Sequence, residues 1–369
     1  MYINQIKLVQ FRNYVSQVIG FHPKFNVITG RNGAGKTSIL EAVYYLSMGK
    51  SCFSSLDKQI IHHEKDFFRL EGSLVDRVGE DHEVVVKNPR DVKKEILLSG
   101  VKIERLQEYI GKFPCVIIAP DDVYTLLDAS EARRNFINNT IVQSDVAYLT
   151  AIMQYAQLLK QRNSLLKHFH GTKSFDRILL DTYTAQMHAP SQYIHSKRSE
   201  VVDILKPLFK EFYFTLSKGV EVGELNYESS LAEMDFHDMM AKNLDKDRIL
   251  GRTSGGVHRD DIACLMDGRP LKTYGSQGQL KSFVLSLKLA QYAYLHLIKK
   301  EKPLILLDDI FDKLDPLRVK QLLEILSGDD FGQVIITDTQ SERISTILDE
   351  INQTFSIFVI DKGKVIGQA

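Results

Sequence analysis

Gly30-Arg31-Asn32-Gly33-Ala34-Gly35-Lys36-Thr37 has the complete form GxxxxGK[ST], and it decides how the rest of the chain is read. Nucleotide phosphates carry several negative charges. Consecutive backbone N–H groups surround them only where the loop bends tightly and no side chain intervenes, hence the three glycines. Lys36 supplies a point charge for the β/γ oxygens, and the Thr37 hydroxyl is a candidate Mg²⁺ ligand. The flanks agree. Phe25-Asn26-Val27-Ile28-Thr29 is a short apolar strand, and from Ser38 to Leu46 apolar residues recur at helical spacing. A helix starting there directs its positive dipole end at the phosphates. Residues 30–38 are therefore the predicted nucleotide cradle.

Composition bounds the remaining possibilities. The 369 residues suffice for two or three domains, with hydrophobic and charged fractions ordinary for a globular protein. Lys+Arg and Asp+Glu both number 47, so net charge argues neither for nor against a nucleic-acid partner. Cys52, Cys115 and Cys264 are far apart and form no CxxC pair, which predicts reduced thiols and no zinc site. Neither a leader-like apolar segment at Met1–Leu8 nor a membrane-length apolar run is present, and a cytoplasmic protein is expected.

Along the chain the texture changes twice. Residues 1–118 read as strands and turns around the phosphate loop, with strands at Glu83–Lys87 and Cys115–Ile118 and a turn at Asn88-Pro89-Arg90-Asp91. Residues 119–250 read as a helical insertion. One stripe is Leu149, Ile152, Met153, Ala156, Leu159 and Leu166. A second stretch carries Ile178, Leu179, Tyr183, Met187, Ile194, Val201 and Leu205, with Pro190 and Pro207 expected to bend or break it. Residues 251–369 return to nucleotide chemistry with a long helix over 278–300, buried strands at 303–307 and 333–337, and a C-terminal strand pair turning at Asp361-Lys362-Gly363.

Leu304-Ile305-Leu306-Leu307-Asp308-Asp309 is an apolar strand ending in two acids, the Walker B pattern. Asp308 is the candidate to hold Mg²⁺, and Asp309 to orient or deprotonate the attacking water. Asp312-Lys313-Leu314-Asp315 follows, matching the loop after Walker B in ATPases of the ABC type. Upstream, Ser276-Gln277-Gly278-Gln279 opens the long helix and resembles the ABC signature, where a Ser and helix N-terminal N–H groups meet a γ-phosphate. Ser276, Gly278 and Gln279 are thus further nucleotide-site candidates. In such heads the signature of one subunit closes on nucleotide held by another, which predicts a two-fold dimer formed with ATP.

Taken in order, the motifs resemble the RecF family of bacterial recombination and repair ATPases, kin to SMC-type heads. The carriers are Leu8-Val9-Gln10-Phe11-Arg12-Asn13-Tyr14, the phosphate loop with Glu41-Ala42, Gly49-Lys50-Ser51, Ala119-Pro120-Asp121-Asp122 and Arg133-Arg134-Asn135-Phe136-Ile137. Lys160-Gln161-Arg162-Asn163, His258-Arg259-Asp260-Asp261, Ser276-Gln277-Gly278-Gln279 and Leu306-Leu307-Asp308-Asp309 complete the series. Asn138, Val257 and Lys313 depart from the family pattern. The resemblance implies an α/β fold, an ABC/SMC-type P-loop ATPase head with a helical second lobe inserted between Walker A and the signature. It implies an ATP-dependent homodimer that binds single- and double-stranded DNA at gap junctions, with RecR and RecO as partners. The implied activity is weak, DNA-stimulated ATP hydrolysis serving recombinase loading, replication restart and SOS induction. Arg12 and Asn13 are candidates to lie near the nucleotide, or a plain polar pair at a strand exit. Arg133 and Arg134 read first as a solvated or salt-bridged helix face and second as DNA contacts, and His258–Asp261 as a structural or interface network between lobes rather than a metal or acid–base cluster. Lys93, Lys94 and Lys102 are candidates for a DNA-facing surface. Two other readings stand beside this one: the ATP-binding subunit of a membrane transporter, and the ATPase of a nuclease complex. Thr337-Asp338-Thr339 in place of a transporter's switch histidine weighs against the first, and the short chain after Walker B against the second.

Overall fold

The computed structural model describes residues 1–368 apart from Lys173, Val220, Asp312 and Lys313. The expected loop at Asp312-Lys313 therefore lies outside the described residues. The chain divides into two compact units, one formed by Met1–Asp122, Thr215–Gly219 and Lys281–Ala369, the other by Val123–Phe214 and Val220–Leu280. Residues 251–280, which the sequence reading joined to the returning ATPase core, lie in the second unit. The reason is strand pairing: Asp261–Met266 hydrogen-bonds along Gly223–Glu228 on one side and Arg269–Pro270 on the other.

The first unit is built on two six-stranded sheets. One runs in the order Lys364–Gln368, Phe355–Asp361, Phe25–Thr29, Val334–Asp338, Leu304–Asp308, Cys115–Ile118; only the first of these strands is antiparallel to its neighbour. Strands 25–29, 304–308 and 334–338 are buried on both faces, which is why their sequences are mostly apolar rather than alternating, with buried Asn26 bonded to the His22 backbone. The second sheet is antiparallel, with Phe67–Val75 and Asp81–Pro89 at its centre. Helix Lys36–Met48 packs against strands of both sheets. Every residue from Ile39 to Met48 is buried, as a helix between two layers requires. The predicted turn at Asn88–Asp91 begins later than expected, because Asn88 and Pro89 pair with Phe68 and Phe67 as the end of strand Asp81–Pro89.

The second unit carries helices Ser130–Val142, Val146–Thr172, all but the last three residues of Arg177–Ser217, and Phe236–Leu250, with the three-stranded sheet. Two sequence expectations are corrected here. The buried stripe of Val146–Thr172 is Tyr148, Ala151, Tyr155, Leu158, Arg162, Leu166 and Phe169, while Met153 and Ala156 are exposed. The apolar count missed it because three of its members are polar or half-polar. Arg162 Nη1 donates to Asp247 Oδ2 at 2.8 Å and to Thr253 Oγ1 at 2.6 Å, fully buried. Pro190 and Pro207, in turn, do not break the following helix, which runs unbroken over 41 residues. Each proline removes one backbone donor. The buried row Leu180, Met187, Ile194, Val201, Leu205 and Phe209 continues through both positions and offsets that loss.

Arg133 acts as the salt-bridged reading expects, while Arg134 bonds a backbone carbonyl. Arg133 grips Asp261 with two bonds of 2.7 and 2.8 Å, and Arg134 Nη1 donates to the Asp260 carbonyl at 2.8 Å. The His258–Asp261 network joins elements within the second unit. His258 Nδ1 accepts from the Tyr155 hydroxyl at 2.7 Å, and Asp260 Oδ2 accepts from Arg198 at 2.8 Å and from Tyr227 at 2.5 Å. Lys94, a candidate for a DNA-facing surface, is instead folded in: its ammonium donates to Asp57 at 2.8 Å and to the Gly49 carbonyl at 2.7 Å.

Candidate nucleotide site

The phosphate loop leaves the C-terminal end of strand Phe25–Thr29, at the edge where Thr337 stands near the end of the adjacent strand Val334–Asp338 and Asp308 ends the strand beyond it. Ligands of open α/β sheets bind at such carboxyl ends. Pairing of Asp308 with Thr337 and of Thr337 with Ile28 brings the three strand ends level.

The loop is held from behind. The Ala34 carbonyl accepts from Asn13 Nδ2 and from the Gly363 N–H, both at 2.9 Å, and the Gly35 carbonyl accepts from the Tyr14 hydroxyl at 3.1 Å. Gly30 has no room for a side chain: a Cβ there would lie 2.3 Å from the Ile360 carbonyl oxygen. Gly33 is different. Its φ of +77° excludes most residues, and the space beside it is open. That open space is a cavity of about 580 Å³ lined by Asn32, Gly33, Gly35, Lys36, Thr37, Ser38 and Asp309, with Arg12 and Asn13 at one wall. Gln59, Ile61, His62 and His63 line another part of it. Sequence reasoning missed those four, since nothing in their spacing signals a site. They are delivered by a bridge between Phe11 and Ile61 and by the His62 N–H donating to the Gln10 carbonyl at 2.8 Å.

Below the cavity the acids meet the loop. Thr37 Oγ1 donates to Asp308 Oδ1 at 2.9 Å, and Thr337 Oγ1 donates to the same oxygen at 2.8 Å. Burial pushes the Asp308 carboxyl above its ordinary range, and hydrogen bonds from Thr337 and Thr37 and the charge of Lys36 pull it back. Lys36 Nζ donates to the Gly30 carbonyl at 2.9 Å, reaches the Arg31 carbonyl at 3.5 Å and stands 3.7 Å from Asp309 Oδ2. Arg12 forms a bidentate pair with buried Glu41 at 2.6 and 2.7 Å, so its charge is already matched at the cavity wall. Asn13 lines the cavity and braces the loop. Arg31 and Ala34 contribute backbone carbonyls rather than lining side chains.

This donor set fits a nucleotide triphosphate with Mg²⁺. Helix Lys36–Met48 has no side-chain cap and no acid in its first turn, so its N-terminal N–H groups are presented to the cavity together with Lys36. A hydroxyl and a carboxylate, Thr37 and Asp308, are the hard oxygen ligands that Mg²⁺ prefers. The signature residues lie in the second unit. Ser276 and Gln279 form a capping box on helix Gln277–Lys299: the Ser276 N–H donates to Gln279 Oε1 at 2.6 Å, and Ser276 Oγ accepts from the Gln279 N–H at 3.3 Å. Gly278 sits in that first turn.

Comparison with known proteins agrees with this architecture. The family described as the RecF/RecN/SMC N terminal domain matches residues 2–364. A Flavobacterium johnsoniae protein named DNA replication and repair protein RecF is 37% identical over 358 residues, covering 97% of this chain and 99% of that protein. The chain belongs to the RecF family. A Cytophaga hutchinsonii RecF is also 37% identical, over 366 residues, with 99% and 96% of the two chains covered. Among solved structures, the recombination mediator protein RecF-ATPrS of the RecFOR pathway superposes with a TM-score of 0.89 at 28% identity, covering 99% of this chain and 97% of its own. The RecF-ATP form gives 0.88 at 26% identity, covering 100% and 97%. An SMC head bound to the C-winged helix domain of ScpA shares the fold at 14% identity and a TM-score of 0.58. The fold is thus that of an ABC/SMC-type ATPase head. Among the described residues no helix is long and apolar enough to cross a membrane.

Proposed function

We propose that this RecF-family chain is an ATP-switched, cytoplasmic DNA-binding protein of recombinational repair with slow ATP hydrolysis. The observation that carries the reading is the meeting of Thr37 and Asp308 at 2.9 Å under a glycine-lined cavity, with Asp309 beside Lys36. Backbone N–H groups of residues 33–38 and the Lys36 ammonium bind the phosphates. Thr37 and Asp308 would hold Mg²⁺, which supplies charge neutralisation at the phosphate oxygens when bound. Asp309 orients water and accepts its proton. Arg12, held by Glu41, and Asn13 shape the wall.

Ser276, Gly278 and Gln279 act in trans in this reading. An exposed helix N-terminus offers donors to the γ-phosphate on a second copy, so that ATP closes a two-fold dimer. The dimer binds single-strand/double-strand junctions at gaps. RecR and RecO are the expected partners, in keeping with the pathway named for the solved relatives; recombinase loading, replication restart and SOS induction are its downstream roles. The test is DNA binding across a salt series with ATP and ADP, using Asp309→Asn to hold the ATP state. ATP should tighten binding and steepen the salt dependence, each added phosphate contact on duplex DNA contributing about 0.9 to the slope of log K against log salt. Equal affinity and slope with both nucleotides would refute the switch.

A further inference from the structure

Asp309 has a left-handed backbone, a conformation that aspartate enters more readily than most residues but still at a cost, and here it has support. Its φ is +42°, in the left-handed region that costs an L-residue conformational energy. The support is visible: the Asp309 N–H donates to Thr337 Oγ1 at 2.9 Å. The same hydroxyl donates its proton to Asp308 Oδ1 at 2.8 Å, a far better acceptor than the Leu307 carbonyl at 3.5 Å. Thr337 is fully buried at the end of the adjacent parallel strand, in register with Asp308. One hydroxyl therefore ties the two acids together, accepting from the backbone of one and donating to the carboxylate of the other.

We propose that Thr337 is a positioning residue for ATP hydrolysis, holding Asp309 in its left-handed conformation and fixing it relative to Asp308. The inference rests on the ATPase reading of the site. Among the described residues the hydrogen bonds of the Thr337 hydroxyl go to the Asp309 N–H, Asp308 and the Leu307 carbonyl, none to Lys36 or the loop backbone, so its role is separable from phosphate binding by the loop. With the hydroxyl gone, the Asp309 N–H is left buried beside a methyl group, and the strained turn relaxes toward the ordinary region. The Asp309 carboxylate then leaves its place 3.7 Å from Lys36. The side-chain hydroxyl, not the size of the residue, carries the effect.

The test compares Thr337→Val, which keeps the shape, with Thr337→Ser, which keeps the hydroxyl, in the full chain. Thr337→Val should lower kcat by about 10–100-fold, the usual range for removing a partner that orients a ligand or base. ATP affinity, measured with a fluorescent ATP analogue with and without Mg²⁺, should stay within about threefold. The Asp309 amide should exchange with deuterium faster in the valine variant than in wild type, and Thr337→Ser should retain both rate and protection. Thr337→Ala gives the same comparison should the valine variant not fold. Three results would overturn the inference: a wild-type rate in Thr337→Val, a rate loss matched by lost ATP affinity, or a serine variant as slow as the valine one. Asp309→Asn is run in parallel. If it too hydrolyses ATP at the wild-type rate, the ATPase reading falls with the inference; if it is slow while Thr337→Val is not, the inference alone falls.

Discussion

Replacing Gly363 by Ala should weaken ATP binding from a site that never touches the nucleotide cavity. Lys362 and Gly363 have φ of 46° and 72°, the two-residue turn that a right-twisted hairpin favours. A Cβ on Gly363 would lie 2.3 Å from the Asn13 carbonyl oxygen, about 1 Å short of ordinary contact. Backbone faces backbone there, so either the hairpin or the Arg12–Asn13 turn must move. Both movements act on the Ala34 carbonyl, which accepts from Gly363 N–H and Asn13 Nδ2. Losing two hydrogen bonds at about 1 kcal/mol each destabilises the bound form of the loop by about 2 kcal/mol. That corresponds to about 30-fold weaker ATP binding. The control is built into the fold. Ser99-Gly100 makes the same kind of turn, with φ of 47° and 81°, but a Cβ on Gly100 meets nothing within 4 Å. Gly100→Ala should bear only the left-handed backbone cost of about 1–2 kcal/mol in stability. ATP titration calorimetry on both variants separates the effects. Equal ATP affinity in the two would refute the claim that the hairpin braces the phosphate loop.

Arg162→Leu should destabilise the second unit by about 3–5 kcal/mol, the cost of stranding a buried partner, here Asp247, and Asp247→Asn added to it should recover part of the loss. Urea unfolding checks both; a loss under about 1 kcal/mol would contradict the burial argument. His258 should make stability pH-dependent. Burial lowers its pKa from the ordinary 6.5 to about 4, so the unfolded chain takes up the proton first as pH falls. Stability should be intact above pH 6.5, fall by about 3 kcal/mol on the way to pH 4 and lose no more to this group below that. Buried Asp260, its carboxyl pushed up, acts in the opposite sense, so the difference between wild type and His258→Gln across that window is the quantity to measure. Ser276→Arg should leave ATP binding intact but block ATP-driven dimerisation; sedimentation of a normal dimer would refute the signature assignment.

Much of the site was legible because its signals are local. The phosphate loop needs fixed glycine spacing, and a strand buried on both faces must be apolar throughout before it can end in Asp308 and Asp309. The elements that brace and aim those residues left no such trace. Asn13 and Gly363 meet on Ala34, and Thr337 reaches the acids, only because strand order brings distant segments together. A lone threonine or glycine has no spacing to recognise. The helical insertion shows the complementary failure. Apolar periodicity placed Val146–Thr172 on the wrong face because Tyr148, Tyr155 and Arg162 are buried by hydrogen bonding as much as by hydrophobicity. Of the lysines picked for a DNA surface, only Lys94 is drawn inward, by Asp57 and the Gly49 carbonyl, which a charge count does not reveal; Lys102 stays half exposed beside Glu95.

Strand Phe25–Thr29 is flanked by Val334–Asp338 and Phe355–Asp361, both encoded some 300 residues later. On the ribosome, at about 5–20 residues per second, that gap lasts from about 15 seconds to a minute. Throughout it, an apolar strand and the loop it carries have no sheet to join, while the antiparallel sheet that needs only residues 2–102 can already close. Nucleotide therefore has no finished site to meet on the nascent chain until those last strands emerge. The exposed strand is the segment a chaperone would be expected to hold in the meantime.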